Sequence, residues 1–314
     1  MRKETIAVAK VPIHFIGFLA NVDDSITALQ LNDGFRIERK AQAEVMAFLD
    51  SVEKSYGNNE SFRLIAFDSD GRPRGCYCIM KRDVDRFEAT SRGRMIVKSA
   101  TGRTVHSQAE EKLRLLRLFK EGNIVMPYAC LYRDLPDGKP EIPTLVRVYP
   151  LWDRTPFTLE SKELEETQKF LATHSLPPRE KHVQLAFEGF ELSYEVHDIG
   201  VAFLQLMIAM EVMLHPGDRD ELRYRISRNA GVLLGQDRGD AERVYKEVRE
   251  LYDKRSKLVH AGDKSVITRE DVLKLRHYVR ETIKEAMKSG MSKGELLNTL
   301  NACGFGERPW RNGK

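Results

Sequence analysis

Asp198-Ile199-Gly200-Val201-Ala202-Phe203-Leu204-Gln205-Leu206-Met207-Ile208-Ala209-Met210-Glu211-Val212-Met213-Leu214 is the stretch that comes nearest to a membrane span. Ile199 to Leu214 is shorter than the ~20 residues a spanning helix needs, and Gln205 and Glu211 interrupt it. Read as a helix, it is apolar almost all the way round: Val201, Phe203, Leu204, Met207, Ile208, Met210, Val212 and Met213 leave no polar side. Such a helix is buried in the middle of something larger. A dimer interface would cover it, and so would the core of a monomer with two domains.

Outward from this helix, everything after residue 178 reads as helical. The expected spans are Glu180–Glu195, Asp198–Leu214, Asp218–Gly235, Arg238–His260, Thr268–Lys288 and Ser292–Leu300. Asp218 and Thr268 are candidate N-caps, and Asp271 three residues beyond Thr268 completes a near capping box. Gly235, Gly262 and Gly290 stand where helices stop. Short connections imply an up-and-down bundle.

Upstream, His174-Ser175-Leu176-Pro177-Pro178 marks a domain boundary. The residues before it mix strand and helix patterns. Val8 to Leu19 is β-branched and broken by Pro12, so it suits one or two strands. Ile37 to Ser55 carries Val45, Phe48, Leu49 and Val52 at helical spacing. Phe62–Phe67 and Gly75–Met80 flank the turn Asp68-Ser69-Asp70-Gly71 as a hairpin. A helix is expected over Ser107–Lys120, strands over Asn123–Tyr132 and Thr144–Tyr149, and a second helix over Thr158–Thr173. The connector Asp134–Pro143 holds three prolines and a glycine. The fold class is therefore α+β: a mixed α/β N-terminal domain over 1–175, then an all-α bundle over 176–314.

The bulk numbers agree with a globular chain. Of 314 residues, 41% are hydrophobic and 31% charged, and the net charge of +4 permits nucleic-acid binding without demanding it. The N-terminus has a charged start and an apolar run, but Lys10, Pro12 and His14 break it, so a strand is expected rather than a signal peptide. Cys76, Cys78, Cys130 and Cys303 show no paired metal-ligand spacing and suit a reduced, cytoplasmic protein. His14, His106, His174, His182, His197, His215 and His277 form no H-E-x-x-H pattern. There is no P-loop, G-x-G-x-x-G or G-x-S-x-G. No metal and no cofactor is expected.

One segment carries chemistry: Leu251-Tyr252-Asp253-Lys254-Arg255-Ser256-Lys257-Leu258-Val259-His260-Ala261-Gly262. An Arg followed five residues later by a His is common by chance. The run Tyr-x-x-Arg-Ser-x-x-Val-His-x-Gly at the end of a helix in an all-α tail is more specific. With Met210-Glu211-Val212-Met213-Leu214 and Ser227-Arg228-Asn229-Ala230-Gly231-Val232-Leu233-Leu234 upstream, it resembles the R-x4-H motif of the HEPN superfamily, in its Apea-like branch. The similarity covers roughly residues 180 to 290. It implies a metal-independent endoribonuclease that works as a homodimer with a composite site. Arg255 and His260 would be catalytic. Ser256, in the polar position after the Arg, would help orient a phosphate. Glu211 and Arg228 match the family's upstream positions, either as a structural ion pair or as support for the site. The implied setting is prokaryotic defence or toxin-like RNA restriction, with the N-terminal domain sensing a trigger.

The residue types suit that chemistry. Cleaving RNA without a metal needs a base for the 2′-hydroxyl proton and an acid for the leaving oxygen. Histidine can do either near neutral pH, each role worth about 10²–10⁴-fold. A guanidinium is permanently charged and forks onto two phosphate oxygens. Five residues along a helix are about 140° apart in azimuth and about 7.5 Å in rise, so the two side chains of one copy are not neighbours unless the helix ends between them. Two other readings of the same residues stand beside it: a purely structural one, with Arg255 a surface residue paired with Asp253 and His260 a helix C-terminal cap, and a catalytically inactive HEPN module that binds nucleotides or dimerises.

The N-terminal half has a second candidate. Between Gly71 and Arg103 stand nine cations, among them Arg72, Arg74, Arg92 and Arg94, against Asp83, Asp85 and Glu88. Tyr77 and Phe87 interleave them. Basic residues among aromatics can grip single-stranded nucleic acid. Alternation along a strand would instead scatter the charges over two solvated faces.

Overall fold

Lys10–Ala20 forms the middle strand, β1, of a five-stranded antiparallel sheet. The structure is a computed structural model and describes residues 10–57, 76–88, 99–136, 138–148, 153–217 and 221–307. The other strands are Phe35–Arg39 (β2), Tyr77–Glu88 (β3), Val125–Asp134 (β4) and Pro140–Val148 (β5), in the order β2-β3-β1-β4-β5. Pro12 does not break β1. It pairs with Arg86 of β3, and β4 joins only from His14 onward, so β1 is flanked on one side only at Pro12, where a proline is tolerated. A register shift between Ile13 and Phe15 follows.

Side chains alternate across this sheet. Ile16, Phe18, Cys78, Met80, Tyr128, Cys130 and Tyr132 meet Val45, Phe48, Leu49 and Val52 of helix α1 (Gln42–Tyr56) in one apolar core. Those four helix residues have the spacing i, i+3, i+4, i+7, which puts them on one face. The opposite sheet face packs against α2 (Ser99–Phe119), whose Ala109, Leu113 and Leu116 are fully buried. The connector expected over Asp134–Pro143 is shorter than read: β5 begins at Pro140, because an edge strand tolerates prolines that a central strand does not. Helix α3 covers Leu164–Thr173 after a short 3₁₀ turn, so it starts later than Thr158. The arm Phe62–Phe67 and its turn lie outside the described residues.

The chain divides into two compact units, Met1–Ser175 and Leu176–Lys314. The fold is α+β, with the sheet in the first unit. In the second, the described residues form α4 (Lys181–Glu195), α5 (Ile199–Leu214), α6 (Leu222–Leu234), α7 (Arg238–Ala261), α8 (Arg269–Ser289) and α9 (Lys293–Ala302). Among the described residues no helix is long and apolar enough to cross a membrane.

The caps explain most of these limits. The Asp198 carboxylate accepts from the N–H groups of Gly200 and Val201, and Thr268 with Asp271 forms a full capping box. Gly262 and Gly290 end α7 and α8 at φ of +66° and +63°, a left-handed turn that favours glycine. Helix α6 begins later than expected: Glu221 precedes Leu222 in a left-handed conformation without a side-chain cap, and Asp218 lies outside the described residues. Helix α5 packs against α4, α8, α6 and α7. Buried Arg276 of α8 fastens it to α4, donating from Nε to Ser193 Oγ (3.1 Å) and from Nη2 to Ser193 O (3.0 Å), with its guanidinium 3.8 Å over the Tyr194 ring.

Candidate active site

Helix α7 runs unbroken through Arg255 and His260 to its cap at Gly262. The two side chains therefore leave the helix on different sides, as the 140° separation requires. His260 is exposed in the last turn, and Arg255 is half-buried. Within one copy they do not converge.

Arg255 is held at the seam between α7 and α5. Its Nη2 lies 3.5 Å from Glu211 Oε1, and its guanidinium carbon is 5.7 Å from the centre of the Tyr252 ring. Glu211 Oε1 is shielded from solvent and accepts no hydrogen bond, so this is a contact of charges rather than a bonded fork. Burial, and then the Glu211 carboxylate, push the Tyr252 hydroxyl above its ordinary pKa, against the pull of Arg255. Tyr252 stands three residues before Arg255, hence on the same face of α7. That spacing is visible in the sequence, whereas the neighbouring helix that sets Glu211 beside Tyr252 is not.

The expected pairing of Glu211 with Arg228 is corrected. Arg228 turns to the end of α9, donating from Nη1 to Leu300 O (3.0 Å) and from Nη2 to Cys303 O (2.7 Å). The last carbonyls of a helix lack intrahelical donors, and a forked guanidinium satisfies two of them. Arg228 is thus a C-terminal clamp on α9, while Glu211 serves Arg255. Lys254 points to the start of α8, where its ammonium donates to Asp271 Oδ2 at 2.6 Å. Ser256 is half-buried one residue beyond Arg255.

Beside this seam α5 is only partly covered. Nine of its sixteen residues are buried. Val201 and Ile208 are 38% and 48% exposed, and Leu204 and Val212 are partly so; these four share one face. Glu211 stands at the edge of that face. Val259 of α7 is 47% exposed, and the start of α5 adjoins its neighbour Leu258, which lies 3.8 Å from where a side chain at Gly200 would begin. An open apolar surface and the Arg255 seam are thus adjacent.

The N-terminal candidates Arg72, Arg74, Arg92 and Arg94 lie outside the described residues. Of the same stretch, Tyr77 donates to Asp24 (3.0 Å), and the Lys81 ammonium sits 4.9 Å over the Phe35 ring. All four cysteines are free thiols. Among the described residues no group of three or more His, Cys, Asp or Glu could hold a metal ion. Comparison of the chain with protein-family models, curated proteins and solved structures returned no match.

Proposed function

We propose that the chain is a metal-independent endoribonuclease of the HEPN type, acting as a homodimer. The observation that carries this reading is the placement of Arg255 and His260 at the end of one continuous helix, next to an open apolar face of α5. A second copy seated on Val201, Leu204, Ile208 and Val212 would bring another Arg255 and another His260 to the same cleft. The chemistry then follows from residue type. A base takes the proton of the RNA 2′-hydroxyl, the freed oxygen attacks the adjacent phosphorus, and the bond to the 5′-oxygen breaks as an acid protonates that oxygen. His260 does the proton work. Arg255 binds the phosphate and offsets its developing charge. Ser256 helps orient it, and Glu211 with Tyr252 holds Arg255 until the phosphate arrives.

This mechanism leaves a 2′,3′-cyclic phosphate and a 5′-hydroxyl. Mapping the ends of RNA fragments made by the purified chain in EDTA tests it. Fragments ending in a 3′-hydroxyl and 5′-phosphate would rule it out. By resemblance, the setting we propose is prokaryotic defence or toxin-like RNA restriction, with the first unit recognising a trigger.

A second reading is a HEPN scaffold that dimerises or binds nucleotides without turnover. The Glu211 carboxylate already facing Arg255 favours it. Unbroken RNA together with nucleotide binding lost in Arg255→Ala would select this reading.

A further inference from the structure

Three aromatic rings line up where α6, α7 and the turn after α9 meet. Tyr224 and Tyr245 have ring centres 6.2 Å apart and nearly perpendicular planes, and Tyr245 and Phe305 are 5.8 Å apart. Gly231 lets α6 and α7 come close beside the row: a methyl there would fall 2.7 Å from Ala241 O and 3.3 Å from both Tyr245 Cβ and Phe305 Cε1. Packing of the last turn onto the helices accounts for Phe305 and Tyr245. It does not account for Tyr224, which ends the row 48% exposed.

The charges around the row are uneven. Arg249, one turn beyond Tyr245, donates from Nη1 to the Tyr245 hydroxyl at 3.4 Å, and this is its one polar side-chain contact among the described residues. The carboxylates on the same side of α7 are already matched, Glu242 by Arg238 at 3.2 Å and Asp253 by Arg223 at 2.7 Å. The guanidinium of Arg249 is the charge left over. Tyr245, Arg249, Ser256 and His260 follow one another by four, seven and four residues, so they share one stripe of α7. From Tyr245 to His260 that stripe is about 22 Å long.

We infer that this stripe is a binding platform for single-stranded RNA, with a base stacking on Tyr224 and Arg249 meeting a backbone phosphate. An exposed ring, beside a half-buried one and an unmatched guanidinium, is what an unpaired base and its phosphate require. The platform would lead the strand along α7 to His260. The choice of ligand rests on the ribonuclease reading.

The test uses the full-length chain and a fluorescent single-stranded RNA carrying 2′-O-methyl groups, which cannot be cleaved through its 2′-oxygens. Tyr224→Ala should weaken binding about ten-fold or more, whereas Tyr224→Phe, which keeps the ring, should bind like the wild type. Arg249→Ala should weaken binding and lower the slope of log affinity against log salt by about one. Thermal melting of each variant checks that it folds, and Arg249→Ala gives an answer even if Tyr224→Ala does not fold. No binding of this RNA by the wild type, equal binding by Arg249→Ala, or equal binding by a folded Tyr224→Ala overturns the inference. So does a wild type that takes a protein partner on this stripe in place of RNA. Ring-dependent binding by a chain that cuts no RNA would keep the platform and remove the nuclease. Cleavage with ring-independent binding would do the reverse.

Discussion

A guanidinium meant for a phosphate should be held, but not held too well. Arg255 meets this condition: its carboxylate partner is 3.5 Å away and makes no hydrogen bond to it, so a bidentate phosphate offers a better partner. Arg255→Lys keeps the charge and loses the fork. In the proposed enzyme it should lower RNA cleavage by about 10²-fold or more while leaving the melting temperature nearly unchanged. An unaltered cleavage rate would mean that Arg255 does not touch the phosphate. Asp271 gives a test of stability at the same scale. Burial opposes its ionisation, but the Lys254 ammonium and the N–H and hydroxyl of Thr268 outweigh burial and hold its pKa below the ordinary value. Its carboxylate thus stays ionised to lower pH in the native state than in the unfolded chain. The stabilisation is complete above the unfolded value near ~4 and is lost as pH falls through the native value. Asp271→Ala should cost about 1 kcal/mol at neutral pH, and urea melts should show this difference shrinking on acidification. Arg255 and His260, the pair proposed as catalytic, stand out in the sequence because a motif fixes their spacing. The partner of Glu211 could not, because helical periodicity gives the face a residue occupies but not which neighbouring helix lies against it.

At the scale of elements, α6 and α7 meet more closely than side chains would allow. A methyl on Gly235 would fall 2.3 Å from Ala241 Cα and 2.6 Å from Ala241 N, both backbone atoms that cannot step aside. Gly235→Ala should therefore cost about 1–3 kcal/mol in a denaturant melt, even though φ at this position is −55° and suits any residue. A neutral result would show that the turn relaxes without loss. Gly235 was recognisable as a helix end, but the close approach was not, since nothing local in a sequence reports what passes above a glycine. The caps were the clearest signals: Thr268 with Asp271, and Gly262 and Gly290, act within one turn of chain and need no tertiary information. Strand limits were harder. Pro12 lies inside β1 and Pro140 opens β5 because of where the sheet's edges fall, which depends on strand order.

At the scale of the molecule, the apolar character of α5 pointed to burial, yet the second unit covers one side and leaves Val201 and Ile208 open. If a second copy covers that side, Ile208→Asp should convert a dimer to a monomer in sedimentation and abolish cleavage together with the dimer. A wild type that is monomeric at all concentrations would remove the composite site. The division into a sheet unit and a helical unit was legible because the hydrophobic period changes on either side of Pro177 and Pro178. The measurement that bears most directly on the proposed function is RNA cleavage in EDTA by the purified wild type and by His260→Ala, side by side. Cleavage by the wild type that disappears in His260→Ala is the expected result. Equal cleavage by both would contradict the assignment of the site to this helix end.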